Sequence, residues 1–316
     1  MIRTILFVLV LSNLGITAGQ AQEYPSRPVR FVVPAAAGLS TDVLGRIFAA
    51  EFQKVLNQPF IIENRPGAGG DLGAAEVVKA APDGYTLLFS SASVLFGNKW
   101  LYPRTFDQDK DLVPIIHVSD SPMVLLVGPE LKEKSLKEVL AMAKTAPKPY
   151  EFGAASTFAA VGYGMLQEAT GTNFLLVRYR SNQQAFVELN KGDIRLLFEA
   201  IPSAKPMIGG GRLAALAVTS STRAESLPDV PTLQELGVNV VFTGFNAIAG
   251  PRGIPQNVVQ VINRAGNEIL KSPDLRQRLA ALSTDIKGGT PEDMARTVQE
   301  NSATWGRMIK KFDLKN

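Results

Sequence analysis

Short apolar runs alternate with amphipathic stretches along most of the chain. Residues 29–34 form an apolar run that predicts a buried strand, and residues 41–56 carry apolar side chains at helical spacing. The alternation continues with a strand at 60–63, a helix at 71–80 and a strand at 85–90. This order predicts an α/β fold with a parallel sheet and helices on both of its faces.

Two extended runs in succession, 113–118 and 123–127, interrupt this alternation, and residues 240–249 are extended again. Such runs suit segments that cross between domains. We therefore predict two α/β lobes with a hinged cleft: lobe 1 comprises 22–122 plus 242–316, and lobe 2 comprises 123–241. The other predicted helices are 135–145, 161–170, 182–191, 257–271, 275–282 and 291–311, and the other strands are 150–154, 174–178, 194–198 and 214–219.

The first 21 residues have the features of a secretory signal peptide. Arg3 gives a positive start, residues 5–14 are almost wholly apolar, and the small residues Gly19 and Ala21 precede the predicted cleavage site. The apolar run is shorter than the roughly 20 residues that a membrane span needs. We predict cleavage after Ala21, a mature chain that begins at Gln22, and export to the periplasm if the source is bacterial.

Composition excludes several functional classes. Hydrophobic residues make up 46% of the 316 residues, which is typical of a folded rather than a disordered chain. The chain has no cysteine, so disulfides, thiol nucleophiles and cysteine-bound zinc are excluded. The net charge of +4 is spread along the chain, and no basic run is interleaved with aromatic residues. We therefore expect no nucleic-acid partner.

Motifs for catalysis are also lacking. The one histidine, His117, lies in an apolar run and is predicted to be structural rather than catalytic. The glycine-rich segment 64–71 has Leu72 where a dinucleotide fingerprint needs its third glycine, and no P-loop lysine follows. This segment predicts a tight turn. No Gly-x-Ser-x-Gly elbow is present, and we predict a protein without catalytic activity, cofactor or metal site.

Two matched turns offer binding chemistry instead. Residues 34–42 and 154–160 each join a predicted strand to a helix through small side chains. Free N–H groups and the helix dipole at such a turn suit a carboxylate or a phosphate. Alternatively, Ser40 and Thr157 only cap their helices. Asp42 either interacts favourably with the helix dipole or accepts a hydrogen bond from a ligand.

Several segments together resemble one known family. They are 24–34, 63–70 (Glu-Asn-Arg-Pro-Gly-Ala-Gly-Gly), 81–88 (Ala-Pro-Asp-Gly-Tyr-Thr-Leu-Leu), 215–220 and 227–232. The chain is similar to the Bug family, the TctC-like extracytoplasmic solute receptors of tripartite tricarboxylate transporters. The resemblance implies a type II periplasmic-binding-protein fold whose two lobes close on a small organic carboxylate.

The resemblance also implies a set of ligand-binding residues. In lobe 1 they are Ala36, Gly38, Ser40, Thr41, Asp42, Ser91 and Ser93, and in lobe 2 they are Ala154, Ala155, Ser156, Thr157, Phe158, Tyr179 and Glu199. Two positions depart from the family pattern: Phe158 and Leu39 stand where the family commonly has glycine. We expect Phe158 to place a large ring near the cleft and to favour a more apolar or aromatic acid, or to abolish water-mediated binding.

Two functions are compatible with these features. The first is a periplasmic solute-binding receptor that captures the carboxylate and delivers it to an integral-membrane permease. The second is a ligand sensor that presents its closed form to the periplasmic domain of a signalling protein. The sequence does not separate them, because both use the same two lobes.

Overall fold

A computed structural model describes residues 24–315 of the chain. The strands are β1 (Val29–Val33), β2 (Phe60–Asn64), β3 (Thr86–Ser91), β4 (Leu112–Val127), β5 (Tyr150–Ala154), β6 (Phe174–Arg178), β7 (Leu196–Ala200), β8 (Ala214–Val218), β9 (Thr243–Pro251) and β10 (Asp285–Ile286). The helices are α1 (Ser40–Leu56), α2 (Asp71–Val78), α3 (Gln108–Asp111), α4 (Leu136–Thr145), α5 (Thr157–Thr170), α6 (Asn182–Lys191), α7 (Ile201–Gly209), α8 (Gln256–Ile269), α9 (Pro273–Ala281) and α10 (Pro291–Lys311). The predicted signal peptide, residues 1–21, lies outside the described residues.

Two sheets share the long strand β4. In the first sheet the order is β2-β1-β3-β9-β4, with β1 parallel to β2 and β3, and with β9 antiparallel to both β3 and β4. In the second the order is β4-β7-β5-β6, with β5 parallel to β6 and β7. The strands β10 and β8 pair with β4 at its sides. The structure thus has the predicted mixed α/β architecture.

Strand β4 is one continuous strand, although the sequence predicts two runs separated by residues 119–122. Pro122 is opposite Thr243 of β9, and the next residue, Met123, is opposite Ala200 of β7. The ladder with β9 shifts register twice before this point, and such bulges bend a strand without ending it. The polar segment therefore stays extended because its backbone is paired on both sides of the proline.

Each sheet buries apolar side chains on both faces, as expected where helices cover both. In the first sheet Val32 and Val33 point to opposite faces, so Val33 packs with α1, α8 and α9 while Val32 packs toward α2. In the second sheet Leu126 packs with α6 and α7, and Leu125 packs with α4 and α5. The cluster on the α2, α5 and α10 side is continuous across both sheets.

Several helical segments differ from the sequence prediction, among them the short helix α3, which was not predicted. Helix α5 begins at Thr157 rather than at residue 161, helix α7 was not predicted, and a π-helical turn, Ser93–Gly97, follows β3. Two prolines make α7 look like a loop, but Pro202 is in the first turn, where its missing N–H costs nothing. Residues 157–160 are mostly small and carry no helical periodicity.

Helix α10, which the sequence analysis assigned to lobe 1, contacts residues of both predicted lobes. The Trp305 ring lies 5.4 Å from Phe96 and 5.5 Å from Phe158, centroid to centroid. Farther along, Lys311 Nζ lies 2.8 Å from Glu168 Oε1 of α5, and Arg307 pairs with the same carboxylate. Residues 242–316 thus touch lobe 2 as well as lobe 1, and the exact lobe boundaries stay a prediction.

A substitution at Gly162 tests the packing between α5 and the crossing segment that contains Phe242. A Cβ atom at this position would overlap the ring of Phe242, which is buried and lies 5.5 Å from Phe158 and 5.1 Å from Phe198 between ring centroids. We expect Gly162→Ala to lower the free energy of unfolding by about 1–3 kcal/mol, because an overpacked core has to shift. Urea denaturation monitored by tryptophan fluorescence measures this change.

The matched control is Gly209→Ala, in helix α7. A Cβ atom there has no neighbour within 4 Å, so the substitution is expected to leave stability unchanged or to raise it by up to about 1 kcal/mol. Equal effects of the two variants would contradict the packing described for Phe242.

Candidate functional site

The first predicted turn is exposed and built largely from backbone. It follows the carboxyl end of β1, and residues 36–40 are exposed to solvent. Gly38 has a φ of +84°, a conformation that favours glycine. Leu39, rather than Ser40, is the N-cap residue of α1, and it makes no side-chain cap. The predicted capping role of Ser40 is therefore wrong, and its hydroxyl lies at an exposed helix start.

Asp42 holds this turn in place. Its buried carboxylate accepts hydrogen bonds from the Gly38 N–H (2.8 Å), from Arg46 Nε (3.1 Å) and from Asn64 Nδ2 (2.9 Å). Burial alone would raise the pKa of Asp42, but these hydrogen bonds together hold the pKa below its ordinary value. Asp42 is thus an ionised carboxylate whose charge is matched within the protein.

The second turn has the same order of strand, turn and helix. Ala154 is buried at the end of β5, and Ser156 caps α5 by accepting a hydrogen bond from the Ala159 N–H (3.1 Å). Ser156, not Thr157, is therefore the cap. The side chain of Thr157 accepts a hydrogen bond of 3.4 Å from Arg178 Nη2, at the end of the neighbouring strand β6. As in any helix, the first N–H groups of α5 have no hydrogen-bond partner within the helix.

Phe158 packs within the protein. Its ring is partly buried, 5.5 Å from Phe242 and 5.5 Å from Trp305 between centroids. The ring therefore ties α5 to the crossing strand region and to α10. The sequence prediction placed this ring near the cleft; the structure shows aromatic neighbours on two of its sides.

The remaining predicted residues lie at strand ends of both lobes. Ser91 Oγ and Ser93 Oγ are 3.0 Å apart after β3. Tyr179 follows β6, and its pKa rises to about 12 through burial and through the nearby Glu188 and Asp193 carboxylates. Glu188 belongs to α6, so the Tyr179 hydroxyl interacts with that helix.

Glu199 is a buried carboxyl group at the end of β7. Its Oε1 accepts hydrogen bonds from Asn182 Nδ2 (3.0 Å) and from the Ala200 N–H (2.8 Å). Burial raises its pKa to about 7, and the Ala200 N–H opposes this shift only in part. Near neutral pH this group is therefore present in both protonation states.

The glycine-rich segment forms the predicted tight turn, but the side chains that hydrogen-bond to it could not be predicted from the sequence. Gly67, Gly69 and Gly70 have positive φ angles. Asn98 Nδ2 donates to the Gly69 carbonyl (3.0 Å), and Asp71 is held by Arg104 through two hydrogen bonds. Asn98 and Arg104 are separated from the turn by about one helix and one strand of the sequence. No local sequence pattern therefore indicates that they contact it.

Arg178 is a further residue near the second turn that the sequence analysis did not single out. It places a guanidinium beside the second turn, at the carboxyl end of β6. The sequence did contain a signal for Arg178, because it is a cation at the end of an apolar strand. Neighbouring strands of the same sheet carry small or polar residues at the corresponding position. Burial lowers the pKa of Arg178, and the Tyr102 hydroxyl of lobe 1 acts in the opposite direction.

Other chemistry is limited in the described part of the chain. His117 is buried, with Nε2 2.8 Å from Asp120 Oδ1 and its ring 4.6 Å from the Phe245 ring, as a structural histidine would be. Between residues 24 and 315, no group of three or more histidine and carboxylate side chains is arranged to hold a metal ion. No helix in the same range has the length and apolar character to cross a bilayer.

Two α/β lobes joined by crossing strands, with small-residue turns and helix starts at strand ends, define the architecture of a solute-binding protein of the two-lobe class. Residues 44–314 match the model of the tripartite tricarboxylate transporter family receptor, TctC. The chain belongs to this family of periplasmic solute-binding receptors, and this membership confirms the predicted receptor class and the prediction that the protein is not an enzyme.

Individual relatives are similar to this chain over nearly its whole length. Protein BugT of Bordetella pertussis is 33% identical, over 97% of this chain and 96% of its own. A TctC solute-binding protein from Polaromonas has a TM-score of 0.82 at 27% identity, covering 91% of this chain and 99% of that one. Rpa4515 of R. palustris, solved with adipate, has a TM-score of 0.71 at 28% identity, covering 91% and 98%. These similarities confirm the periplasmic-binding-protein fold.

Glu199 predicts a specific pH dependence of stability. Its pKa in the folded protein, about 7, is above its ordinary value of 4.5. Its contribution is therefore full below the ordinary value and is lost as the pH rises through the folded value. From about pH 5 to about pH 8 the wild type should lose about 2–3 kcal/mol of unfolding free energy relative to Glu199→Gln.

Urea denaturation at several pH values measures this difference. Glu188→Gln, at a half-buried position of α6, is the control and should follow the wild type over the same range. Parallel curves for the wild type and Glu199→Gln would show that the Glu199 pKa is not raised.

Proposed function

We propose that the chain is a periplasmic receptor that captures a small carboxylate between its lobes and delivers it to a tripartite membrane permease. The observation that carries this proposal is the pair of turns at the carboxyl ends of β1 and β5. Each leads into a long helix, α1 or α5; residues 36–40 are exposed at the first turn, and the cap residue Ser156 is exposed at the second. Helix starts of this kind attract anions through free N–H groups and the dipole.

The charges beside the turns support an anionic ligand. Arg46 and Asn64 match the Asp42 carboxylate in the first turn, so a second anion there is not repelled by an unmatched charge. In the second turn Arg178 adds a cation next to Thr157. In this proposal Ser40, Thr41, Ser156 and Thr157 contact the ligand carboxylate, and the hydroxyls of Ser91 and Ser93 lie beside it.

The related structures support the ligand class. Rpa4515 of R. palustris, in the same family of folds, holds adipate. We infer that this chain also takes a carboxylate, and that the bound form is closed by rotation of the lobes about β4 and β9. The proposed boundaries, 122/123 and 241/242, coincide with the place where β4 exchanges its pairing with β9 for pairing with β7 and β8.

A negative charge at the first turn tests the proposal. Ser40→Asp places a carboxylate at the first residue of α1, where it suits the helix dipole and should not reduce stability. Charge repulsion of about 1–4 kcal/mol at roughly 4 Å should lower the affinity for any bound carboxylate about tenfold or more. Isothermal titration calorimetry with a panel of mono-, di- and tricarboxylates on the mature chain measures it.

The matched control is Gln256→Asp, at the exposed first residue of α8. It makes the same change of charge at a helix start away from both turns and should leave the affinity unchanged. A panel in which no carboxylate binds the wild type, or equal affinities for the wild type and Ser40→Asp, would contradict the proposal.

Delivery and export are tested in cells. We expect the full chain to appear in the periplasm as a species that begins at Gln22, and uptake of the ligand to require both this receptor and its permease. Complementation of a receptor deletion by the wild type and by Gln256→Asp, but not by Ser40→Asp, is the expected result. Normal uptake in the deletion strain would show that the receptor does not supply the permease.

A further inference from the structure

A polar cavity of about 320 Å³ lies beside the crossing strands β4 and β9, where α5 and α10 meet them. Its lining includes Met165 of α5, Phe242 and Thr243 of the crossing segment, and four residues of α10. The volume is in the range of small-molecule sites in proteins. None of its lining residues is among the predicted ligand-binding residues of the two turns, so the cavity is a separate candidate site.

One face of α10 presents polar groups to this cavity. Four lining residues recur at intervals of three and four positions and therefore share one face of the helix: Thr297, Glu300, Asn301 and Thr304. Asn301 Nδ2 donates to the Thr297 carbonyl (2.8 Å), which leaves Asn301 Oδ1 as an acceptor. The exposed Glu300 carboxylate has no hydrogen bond or ion pair with any other described residue. This face thus offers acceptor oxygens that the protein does not match itself.

The basic groups of the cavity are already matched to another carboxylate. Asp120 Oδ1 lies 2.8 Å from His117 Nε2 and accepts a hydrogen bond from Thr243 Oγ1 (3.1 Å), and Asp120 Oδ2 lies 3.7 Å from Lys287 Nζ. Burial would raise the pKa of Asp120, but these three partners hold the pKa below its ordinary value. Both basic side chains that line the cavity therefore lie beside Asp120, and Glu300 is left as the unmatched charge.

We propose that this cavity binds a small amine whose ammonium group lies against Glu300 and whose apolar body packs on Met165 and Phe242. An ammonium group has donors and no acceptor, so it complements the carboxylate, amide and hydroxyl oxygens on α10. The flexible thioether of Met165 and the buried ring of Phe242 supply an apolar wall. This site goes beyond the proposed function, because its position and the charge of its ligand both differ from those of the carboxylate site.

Other ligand classes fit the cavity less well. A carboxylate or phosphate would face the Glu300 charge, while His117 and Lys287 are paired with Asp120. A bare metal ion lacks a ligand set, since the described residues contain no group of three or more histidine and carboxylate side chains suited to hold one. An amine with an apolar body uses both the acceptor oxygens and the apolar wall.

Two probes isolate the charge of the ligand. 2-Phenylethylamine and 2-phenylethanol share a ring and a two-carbon chain, and they differ in the ammonium group. Isothermal titration calorimetry of the mature wild type at pH 7 should show the amine binding about fivefold more tightly than the alcohol, or better. Failure of the amine to bind at about 10 mM, or equal affinities for the two probes, would overturn the inference.

Glu300→Gln tests the contact with the ammonium group. The residue is exposed, so the variant should fold, and its affinity for 2-phenylethylamine should fall about fivefold or more. Glu292→Gln is the matched control, because Glu292 is an exposed carboxylate of the same helix that does not line the cavity. An undiminished affinity in Glu300→Gln, or the same loss in Glu292→Gln, would show that Glu300 does not hold the amine.

Thr304→Lys tests the cavity itself. The new lysine lies one turn after Glu300, where it can pair with that carboxylate and occupy the cavity. We expect this variant to lose binding of 2-phenylethylamine and to keep the wild-type affinity for carboxylates. Ala295→Lys makes the same change of charge at an exposed position of α10 outside the cavity and should bind the amine as the wild type does.

The outcomes separate this inference from the proposed function. Wild-type affinity for the amine in Thr304→Lys, or loss of both the amine and the carboxylate in that variant, would overturn the cavity as the amine site. If no carboxylate binds the wild type while the amine binds and is lost in Thr304→Lys, the proposed function fails and the amine site stands.

Discussion

The continuous backbone pairing of β4 is the constraint on which the two-lobe arrangement depends. Residues 112–122 of this strand pair with β9, and residues 123–127 pair with β7 and β8. The same strand thus anchors both sheets, and the bulges before Pro122 are the places where its twist changes. Helix α10 adds a further connection through Trp305 and Phe158. The lobe closure that we propose would therefore be a rotation about these shared elements.

This scaffold places the starts of α1 and α5 at the carboxyl ends of β1 and β5, one in each predicted lobe. The proposed ligand site would use mainly backbone groups, because both turns consist mainly of small side chains at the ends of parallel strands. Ion pairs and hydrogen bonds match the acidic side chains of two turns: Asp42 of the first turn is matched by Arg46 and Asn64, and Asp71 of the glycine-rich turn is matched by Arg104. Arg178 places a guanidinium 3.4 Å from Thr157 Oγ1 at the second turn.

The sequence predicted the elements with clear periodicity and the place of the two turns. It did not predict α7, because its prolines resemble loop signals, or the early start of α5, where small residues carry no periodicity. Within the candidate site, Phe158 was expected near the cleft, but its ring packs on Phe242 and Trp305. The pairing of Asp71 with Arg104 depends on tertiary contacts between residues far apart in the chain, which local patterns do not contain.

The central claim is that the lobes close on a bound carboxylate. Small-angle X-ray scattering of the mature protein, with and without a saturating concentration of the tightest-binding acid from calorimetry, tests it most directly. The account predicts a smaller radius of gyration in the presence of the ligand, because rotation about β4 and β9 brings the two turns together. An unchanged radius of gyration at full occupancy would contradict it.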